Sequence, residues 1–504
     1  MPRRHSFSSF RAFSIDTNSA EPLHRQLYNE LRAAILGGRL PSGCRLPASR
    51  ELAQVTGLSR NTVLSAYDQL IAEGYIESRA GSGTYVASSL PDQVMSGPAM
   101  EPVPAADRGE RRLSTRGERL LEFPFRKWPP LHTGPMLFRA GLPALDHFPM
   151  DIWRRLSDKR MRLASIKTLA YDDPLGYRPL REAIAGHLAA ARGARCSPDQ
   201  IVVVSGSQQA ISIVAEVLLN EGDQVLFEDP GYFAARSVFE TMGVRIAPVP
   251  VDEDGFDVAA AMQSAPTARM AYITPSHQNP LCVTMSLPRR RALLQWAENN
   301  GSWILEDDNA SECRYRGRPL AALQGIDPHG RVLYAGTFSK VMFSALRLGY
   351  LVVPPDLLPA FVRAREIMDR QSPGLLQAVM ADFMVEGHFA RHLRRMRTLY
   401  ASRLAALHAA VNKHAPDLFE IPELEGGLNR VAWLPPGASD IDLIGVLRPE
   451  GFACLPVSEF RMAAGGRNGL VLGFAGLSEE QIDSSIARMA ALIRPLIQQQ
   501  AARA

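Results

Sequence analysis

The chain has few cysteines: Cys44, Cys196, Cys282, Cys313 and Cys454 stand singly, with no CxxC pair. That pattern excludes a disulfide framework, and the lack of histidines clustered at ligand spacing excludes a zinc site, so no metal is expected. A reduced, cytoplasmic setting fits free thiols. No stretch reaches the ~18 apolar residues a spanning helix needs, and the N-terminal MPRRHSFSSFRAFSIDT has no long apolar run behind Arg3 and Arg4, so no membrane is expected. Net charge is also scarce. At +4 over 504 residues it cannot argue for nucleic acid, and any such case has to be local. There are no internal repeats.

What is present is an ordinary globular composition, 46% hydrophobic and 21% charged, in a chain too long for one core. Residues 89–134 are rich in Pro, Gly, Ser and charge without sustained apolar periodicity, which predicts a flexible linker. They separate two expected units, residues 15–88 and 135–504, the second with a smaller C-terminal part from about residue 380.

The first unit reads as helical. PLHRQLYNELRAAIL (22–36) spaces Leu23, Leu27, Leu31, Ala34 and Ile35 on one face and stops at Gly37 and Gly38. A short helix carrying Leu52, Ala53 and Val55 inward ends by Gly57. A third starts on Ser59 as N-cap and turns Val63, Ala66, Tyr67, Leu70 and Ile71 to the core. YIES and TYVA, joined by RAGSG, predict a hairpin with a glycine-rich tip. A third helix opening on Ser-Arg-Asn-Thr suits major-groove entry, because recognition helices meet base edges through their first residues. Arg60, Asn61 and Thr62 have the reach for bases; Arg50 and Arg60 suit phosphates, and Arg79 and Gly81 sit where a backbone or minor groove can approach. A helical module docking another protein has the same bare pattern. The run LPASRELAQVTGLSRNTVLSAYDQLIAEGYIESRAGSGTYV, however, resembles the winged helix-turn-helix of the GntR superfamily. That resemblance implies double-stranded DNA as partner and puts Arg50, Ser59, Arg60, Asn61, Thr62, Arg79 and Gly81 on DNA-contacting positions. It departs at Ala48, where the family commonly has a capping Ser.

Beyond the linker, short apolar runs alternate with helix-length segments: IVVV (201–204), VLFE (225–228), MAYIT (270–274), WILED (303–307), VLYA (332–335) and YLVV (350–353). Such alternation predicts a mostly parallel, doubly wound α/β sheet. Polar groups follow the strands, where ligands sit in open parallel sheets: SGSQQA, DPGY, PSHQNP, Asp307 and GTFSK. Alone, Lys340 reads as a polar turn residue and SGS as a loop. Together they form an inventory for pyridoxal 5'-phosphate: Lys340 as the Schiff-base lysine, Asp307 beside the pyridine nitrogen, Tyr232 stacked on the ring, and Ser207, Gln208, Ser339 and Arg347 around the phosphate.

From about residue 136 the chain resembles fold-type I aminotransferases, PLP-dependent enzymes with large and small subdomains. The whole is similar to the MocR-type regulators, on TPSHQNPLCVTMS, EDDNASECRYRG and GTFSKVMFSALRLGY. The resemblance implies a transcription regulator that senses a small amino compound or the cofactor itself, as a head-to-tail homodimer addressing paired half-sites. A working aminotransferase with an appended DNA-binding head and a non-catalytic scaffold are the alternatives. In the aminotransferases Tyr171 reaches the neighbour's phosphate; a packing tyrosine is the other reading. Four departures bear on function. Asn309 stands where the subfamily has Tyr, and Asn279 where it has an aromatic residue, so Asn279 is expected to bond the cofactor's phenolic oxygen instead. Cys282 replaces a glycine, and Asn429 a histidine. NGLVLGFAG has Val471 and Leu472 where transaminases place a carboxylate-binding arginine; Arg467 lies only at its edge, and Arg430 reads either as its substitute or, by preference, as a surface residue.

Overall fold

Three helices and a hairpin build the N-terminal unit in the computed structural model, which describes residues 13, 15–17, 19–79, 81–91, 112–122, 136–165, 170–315, 317 and 320–501. The chain divides into two units, Met1–Arg112 and Leu113–Ala504. In the first, α1 (Leu23–Leu36), α2 (Ser49–Thr56) and α3 (Arg60–Ala72) bury Leu27, Leu31, Leu52, Val63, Ala66 and Leu70. Ser59 caps α3, its Oγ accepting from the Thr62 amide at 3.1 Å. β1 (Ile76–Arg79) and β2 (Gly83–Val86) pair antiparallel, Ile76 against Val86. Ile71, expected in the core, is exposed at 40%. One residue past the buried Leu70, it is turned by about 100° on the helix surface.

The second unit is organised by an eight-stranded sheet, ordered β3-β10-β9-β8-β7-β4-β5-β6. Its strands are β3 (Ile201–Val204), β4 (Gln224–Asp229), β5 (Arg245–Asp252), β6 (Gly255–Phe256), β7 (Met270–Ile273), β8 (Trp303–Asp308), β9 (Val332–Thr337) and β10 (Gly349–Val352). β10 runs antiparallel to β3 and β9, and β6 to β5, while the other pairings are parallel. The like-directed strands therefore end along one edge. Strand residues such as Val202, Phe227, Leu305 and Leu351 are fully buried because helices cover the faces. β5 was not expected. Its RIAPVPVD carries two prolines, tolerated because its outer neighbour, β6, pairs only with Val251 and Asp252.

A smaller part follows the long helix His388–His414: β11 (Asn429–Trp433), β13 (Gly469–Gly473) and β12 (Leu455–Pro456) form an antiparallel sheet with helices Asp440–Leu447 and Glu479–Ala501. Of the expected linker, residues 92–111 and 123–134 lie outside the described residues. Between them Thr115–Glu122 is helical, contrary to expectation. The Ser114 hydroxyl accepts from the Gly117 amide at 3.1 Å and Arg119 pairs with Glu221 at 2.6 Å, so a local cap and an ion pair hold a helix that apolar spacing does not announce. Among the described residues no helix is long and apolar enough to cross a membrane.

Candidate functional site

Lys340 follows β9 on the turn after Phe338, and its Nζ donates to the carbonyl of Gly141 at 3.2 Å. The Gly141 amide in turn donates to Asn429 Oδ1 at 2.7 Å. Three distant segments thus meet on one amine. Gly141 has φ +70°, a conformation that favours glycine, and a Cβ there would lie 2.5 Å from Nζ, so the amine would have to shift. Burial lowers the proton affinity of Lys340; Asp307 opposes that shift and the Arg139 charge adds to it. An amine biased toward its neutral form is a better nucleophile toward a carbonyl.

Asp307 and Asp308 end β8 with opposite fates. Tyr272 of β7 donates its hydroxyl to Asp307 Oδ2 at 2.6 Å, while Asp307 Oδ1 is buried with no hydrogen-bond partner. Burial pushes the Asp307 carboxyl up to about 6, the Tyr272 bond opposing and Asp308 reinforcing. Asp308 is fully engaged, by Arg192 Nε at 2.9 Å, Tyr334 at 2.5 Å and Ser311 at 2.7 Å. Burial raises it too, but Arg192 and these bonds prevail and hold it below the usual carboxylate range.

The cavity beside Lys340, about 130 Å³, is lined among others by Tyr232, His277, Asn279, Asn309, Cys282 and Asn429. Burial pushes the Tyr232 hydroxyl up to about 12, so it stays a neutral aromatic wall. The loop carrying Asn279 is held by Glu228, which accepts from the Thr274 amide (2.9 Å), Thr274 Oγ1 (2.6 Å) and Gln278 Nε2 (3.1 Å). Both amides singled out in the sequence, Asn279 and Asn309, therefore reach the cavity. Cys282 has φ +66°, a conformation that explains why glycine suits the position.

Near the end of β3, Gly206 (φ +120°) opens the helix Ser207–Leu218, whose first amides are free to meet an anion. A Cβ on Gly206 would lie 3.6 Å from Arg347 Nη1, so the guanidinium stands over that helix start. The Gln208 side chain points away, Nε2 donating to the Ala234 carbonyl at 2.8 Å. Ser339 donates its amide to Thr337 Oγ1 at 3.2 Å. Tyr171 is 76% exposed, its ring contacting Arg370 at 4.7 Å, so it is not part of the buried core of this chain.

The arginines near the late strand are committed elsewhere. Arg430, expected on the surface, is fully buried: its terminal nitrogens donate to the carbonyls of Gly426 (2.7 Å), Asn429 (2.7 Å) and Leu424 (2.8 Å). Carbonyl pairing is what allows a buried guanidinium. Arg467 pairs with Glu420 at 2.6 Å. Val471 lines the cavity itself.

Sequence reasoning missed Tyr272, Gly141 and the Arg192–Asp308–Tyr334 network. In the N-terminal unit Arg50, Arg60, Asn61, Arg79 and Gly81 are exposed. Thr62 and Ser59 are partly spent on each other, their hydroxyls 2.9 Å apart. Arg79 lies 4.8 Å over the Tyr85 ring and pairs with Glu77 at 3.0 Å.

Two family descriptions match the chain: bacterial regulatory proteins, gntR family, over residues 23–86, and aminotransferase class I and II over residues 135–489. The chain is 40% identical over 94% of each chain to the probable rhizopine catabolism regulatory protein MocR of Rhizobium meliloti. It is 32% identical to the HTH-type transcriptional regulator TauR of Rhodobacter capsulatus over 94% of this chain and 96% of that one. Among solved structures it resembles the alpha-aminoadipate aminotransferase LysN of Thermus thermophilus, complexed with N-(5'-phosphopyridoxyl)-L-leucine. That likeness is 30% identity and TM-score 0.70, covering 76% of this chain and 98% of the enzyme.

Proposed function

Given that the chain belongs to the MocR-type transcriptional regulators, a gntR-family DNA-binding head on an aminotransferase class I and II body, we propose that Lys340 anchors the cofactor and that a small amino compound, or the cofactor itself, acting there controls when the head reads DNA. The cofactor of this body is pyridoxal 5'-phosphate. One observation carries the reading: Asp307 Oδ1 is a buried acceptor without a donor, and a pyridine nitrogen bearing a proton is the donor it lacks. Tyr232 offers the ring a face. The amides of Ser207 and Gln208, with Ser339 and Arg347, hold the phosphate, and Asn279 donates to the phenolic oxygen. When bound, the group supplies an aldehyde carbon open to amines and an electron-drawing ring.

Control of DNA requires only that the ligand bind one arrangement of the protein better than another. Arg50, Ser59, Arg60, Asn61, Thr62, Arg79 and Gly81 face DNA, and a head-to-tail homodimer in the cytoplasm would set two heads on paired half-sites. The exposed Tyr171 then serves the partner subunit. Borohydride reduction of the loaded full-length chain, followed by peptide mass spectrometry, should place the pyridoxyl group on Lys340. Lys340→Ala should keep DNA binding and lose the effector response; a retained response would remove Lys340 from the mechanism. The alternative, a working transaminase, is disfavoured by Val471, which lines the cavity where a carboxylate would need a cation.

A further inference from the structure

The kind of amine that reaches Lys340 is legible in the chemistry of the cavity walls. Among the described residues its lining divides in two. One part carries carboxamides: Gln278 is spent on Glu228, Pro230 and the Leu281 amide, Asn429 Oδ1 accepts from the Gly141 amide, and Asn279 is assigned to the cofactor, so Asn309 and the Asn429 NH2 are the groups left to meet a ligand's hydroxyl. The other is hydrocarbon, Leu455, Phe460 and Val471, which belong to one packed cluster with Val431 and Val457. Apart from Lys340, no lysine or arginine lines it.

Nor can a nearby cation readily turn inward. Arg430 is fully buried, with its terminal nitrogens on three carbonyls and on the Tyr315 hydroxyl at 3.3 Å, and it lies 5.7 Å from the Phe474 ring. Arg467 lies at the surface, 5.6 Å from the Trp433 ring and paired with Glu420, and is not part of the cavity wall. His277 does line the cavity, and its Nε2 has no hydrogen-bond partner, but burial pushes it down to about 3, so it enters as a neutral imidazole. Arg139 precedes the lining residue Ala140 and contacts Met136 Sδ at 3.3 Å without itself forming a wall.

From these walls we infer that the cavity admits a primary amine without a carboxylate, its body carrying hydroxyl or similar neutral hydrogen-bonding groups. A carboxylate placed against Leu455, Phe460 and Val471 would lose its hydration and gain no counter-charge. Hydroxyls pair with carboxamides as donors and as acceptors. The inference rests on Lys340 anchoring the cofactor, as proposed above.

The test uses the full-length chain loaded with pyridoxal 5'-phosphate and two matched pairs, serinol with serine and trans-4-aminocyclohexanol with trans-4-aminocyclohexanecarboxylate. Affinity is read both from the absorbance of the bound cofactor and by calorimetry. Each alcohol should bind about tenfold or more tighter than its acid. Val471→Arg should narrow that ratio by about tenfold; if the variant does not fold, the wild-type ratios decide alone. Acids that match or exceed the alcohols overturn the inference, and loss of acid binding in Arg139→Gln would identify the cation responsible. A loaded chain indifferent to all four compounds also overturns it while leaving Lys340 as anchor. A chain that takes up no cofactor overturns the reading beneath it, and this inference with it.

Discussion

Asp307→Asn should act in opposite directions on the empty and the loaded protein. The native carboxyl is 2% exposed, with one oxygen on Tyr272 and the other bare. Its pKa rises from 3.8 in the unfolded chain to about 6 in the fold. As pH climbs through that interval the unfolded chain ionises first, so the fold loses about 3 kcal/mol, all of it gone above about pH 6. Asparagine keeps an acceptor for Tyr272 and does not titrate. Its NH2 takes the place of the bare oxygen and lacks an acceptor, a pH-independent penalty of about 1–3 kcal/mol. The stability difference between variant and wild type should therefore move by about 3 kcal/mol in the variant's favour between about pH 4 and pH 8. Urea unfolding of the cofactor-free full-length chain reads this through tryptophan fluorescence, since Trp153, Trp296, Trp303 and Trp433 lie in the body, Trp128 in the expected linker, and none in the DNA-binding head. With pyridoxal 5'-phosphate the order reverses: loss of a charge-assisted bond to the ring nitrogen should weaken binding by about 10- to 100-fold. A difference that does not vary with pH would refute the burial argument, and unchanged cofactor affinity would refute the assignment of Asp307.

Other substitutions separate the parts of the molecule. Gly141→Ala places a Cβ 2.5 Å from Lys340 Nζ and an L residue at φ +70°, so cofactor uptake measured by absorbance should weaken while DNA binding in a mobility-shift assay persists. Ala48 heads α2 with no side-chain cap, although its amide donates to Glu51 Oε2 at 3.0 Å; Ala48→Ser supplies the missing acceptor and should stabilise α2 by about 1 kcal/mol, seen as slower amide exchange in Ser49–Thr56. Asn61→Ala should lower affinity for the preferred operator by about 1–3 kcal/mol and relax sequence preference, whereas Arg50→Ala should weaken all sequences alike and reduce the salt dependence of binding. Asn279→Ala should shift the absorbance of the bound cofactor and weaken its binding; an unchanged spectrum and affinity would show that Asn279 has not taken over the phenolic oxygen.

The sheet was legible where strands are wholly buried and proline-free, because continuous apolar runs such as IVVV have few other readings. β5 escaped because Pro248 and Pro250 interrupt it, and proline is compatible with a strand only once its neighbours are known. Lys340 and Asp307 were legible as strand-end residues in a parallel sheet. Tyr272 was not. In a strand buried on both faces there is no alternation to show which side a residue occupies, and only the register of Tyr272 against Leu305 puts it on the face of Asp307. Gly141 and Asn429 are separated by 288 residues in sequence and meet through tertiary packing alone. Arg430 was misjudged because a guanidinium is costly to bury, and the carbonyls of Gly426, Asn429 and Leu424 that make burial possible leave no mark in composition.

The run Glu306-Asp307-Asp308 shows how one strand serves both scaffold and site. Successive side chains of β8 point to opposite faces, so Glu306 and Asp308 share the face of Tyr334, which pairs with Glu306 in register. On that face both carboxylates are satisfied: Glu306 accepts from the amides of Leu323 and Gln324 at 2.9 and 3.0 Å, and Asp308 from Arg192, Tyr334 and Ser311. Three adjacent acids could suggest a metal, but no group of His, Cys, Asp or Glu among the described residues is arranged to hold one. Asp307 alone faces the other way, beside Tyr272, and retains an oxygen with no donor. Its neighbours on the strand are held by protein groups, so the strand end can stay rigid while that single oxygen waits for an external proton donor. Because the Asp307 charge bears on Lys340, a ligand that met this acceptor, as proposed above, would alter the electrostatics at the amine without remaking the sheet.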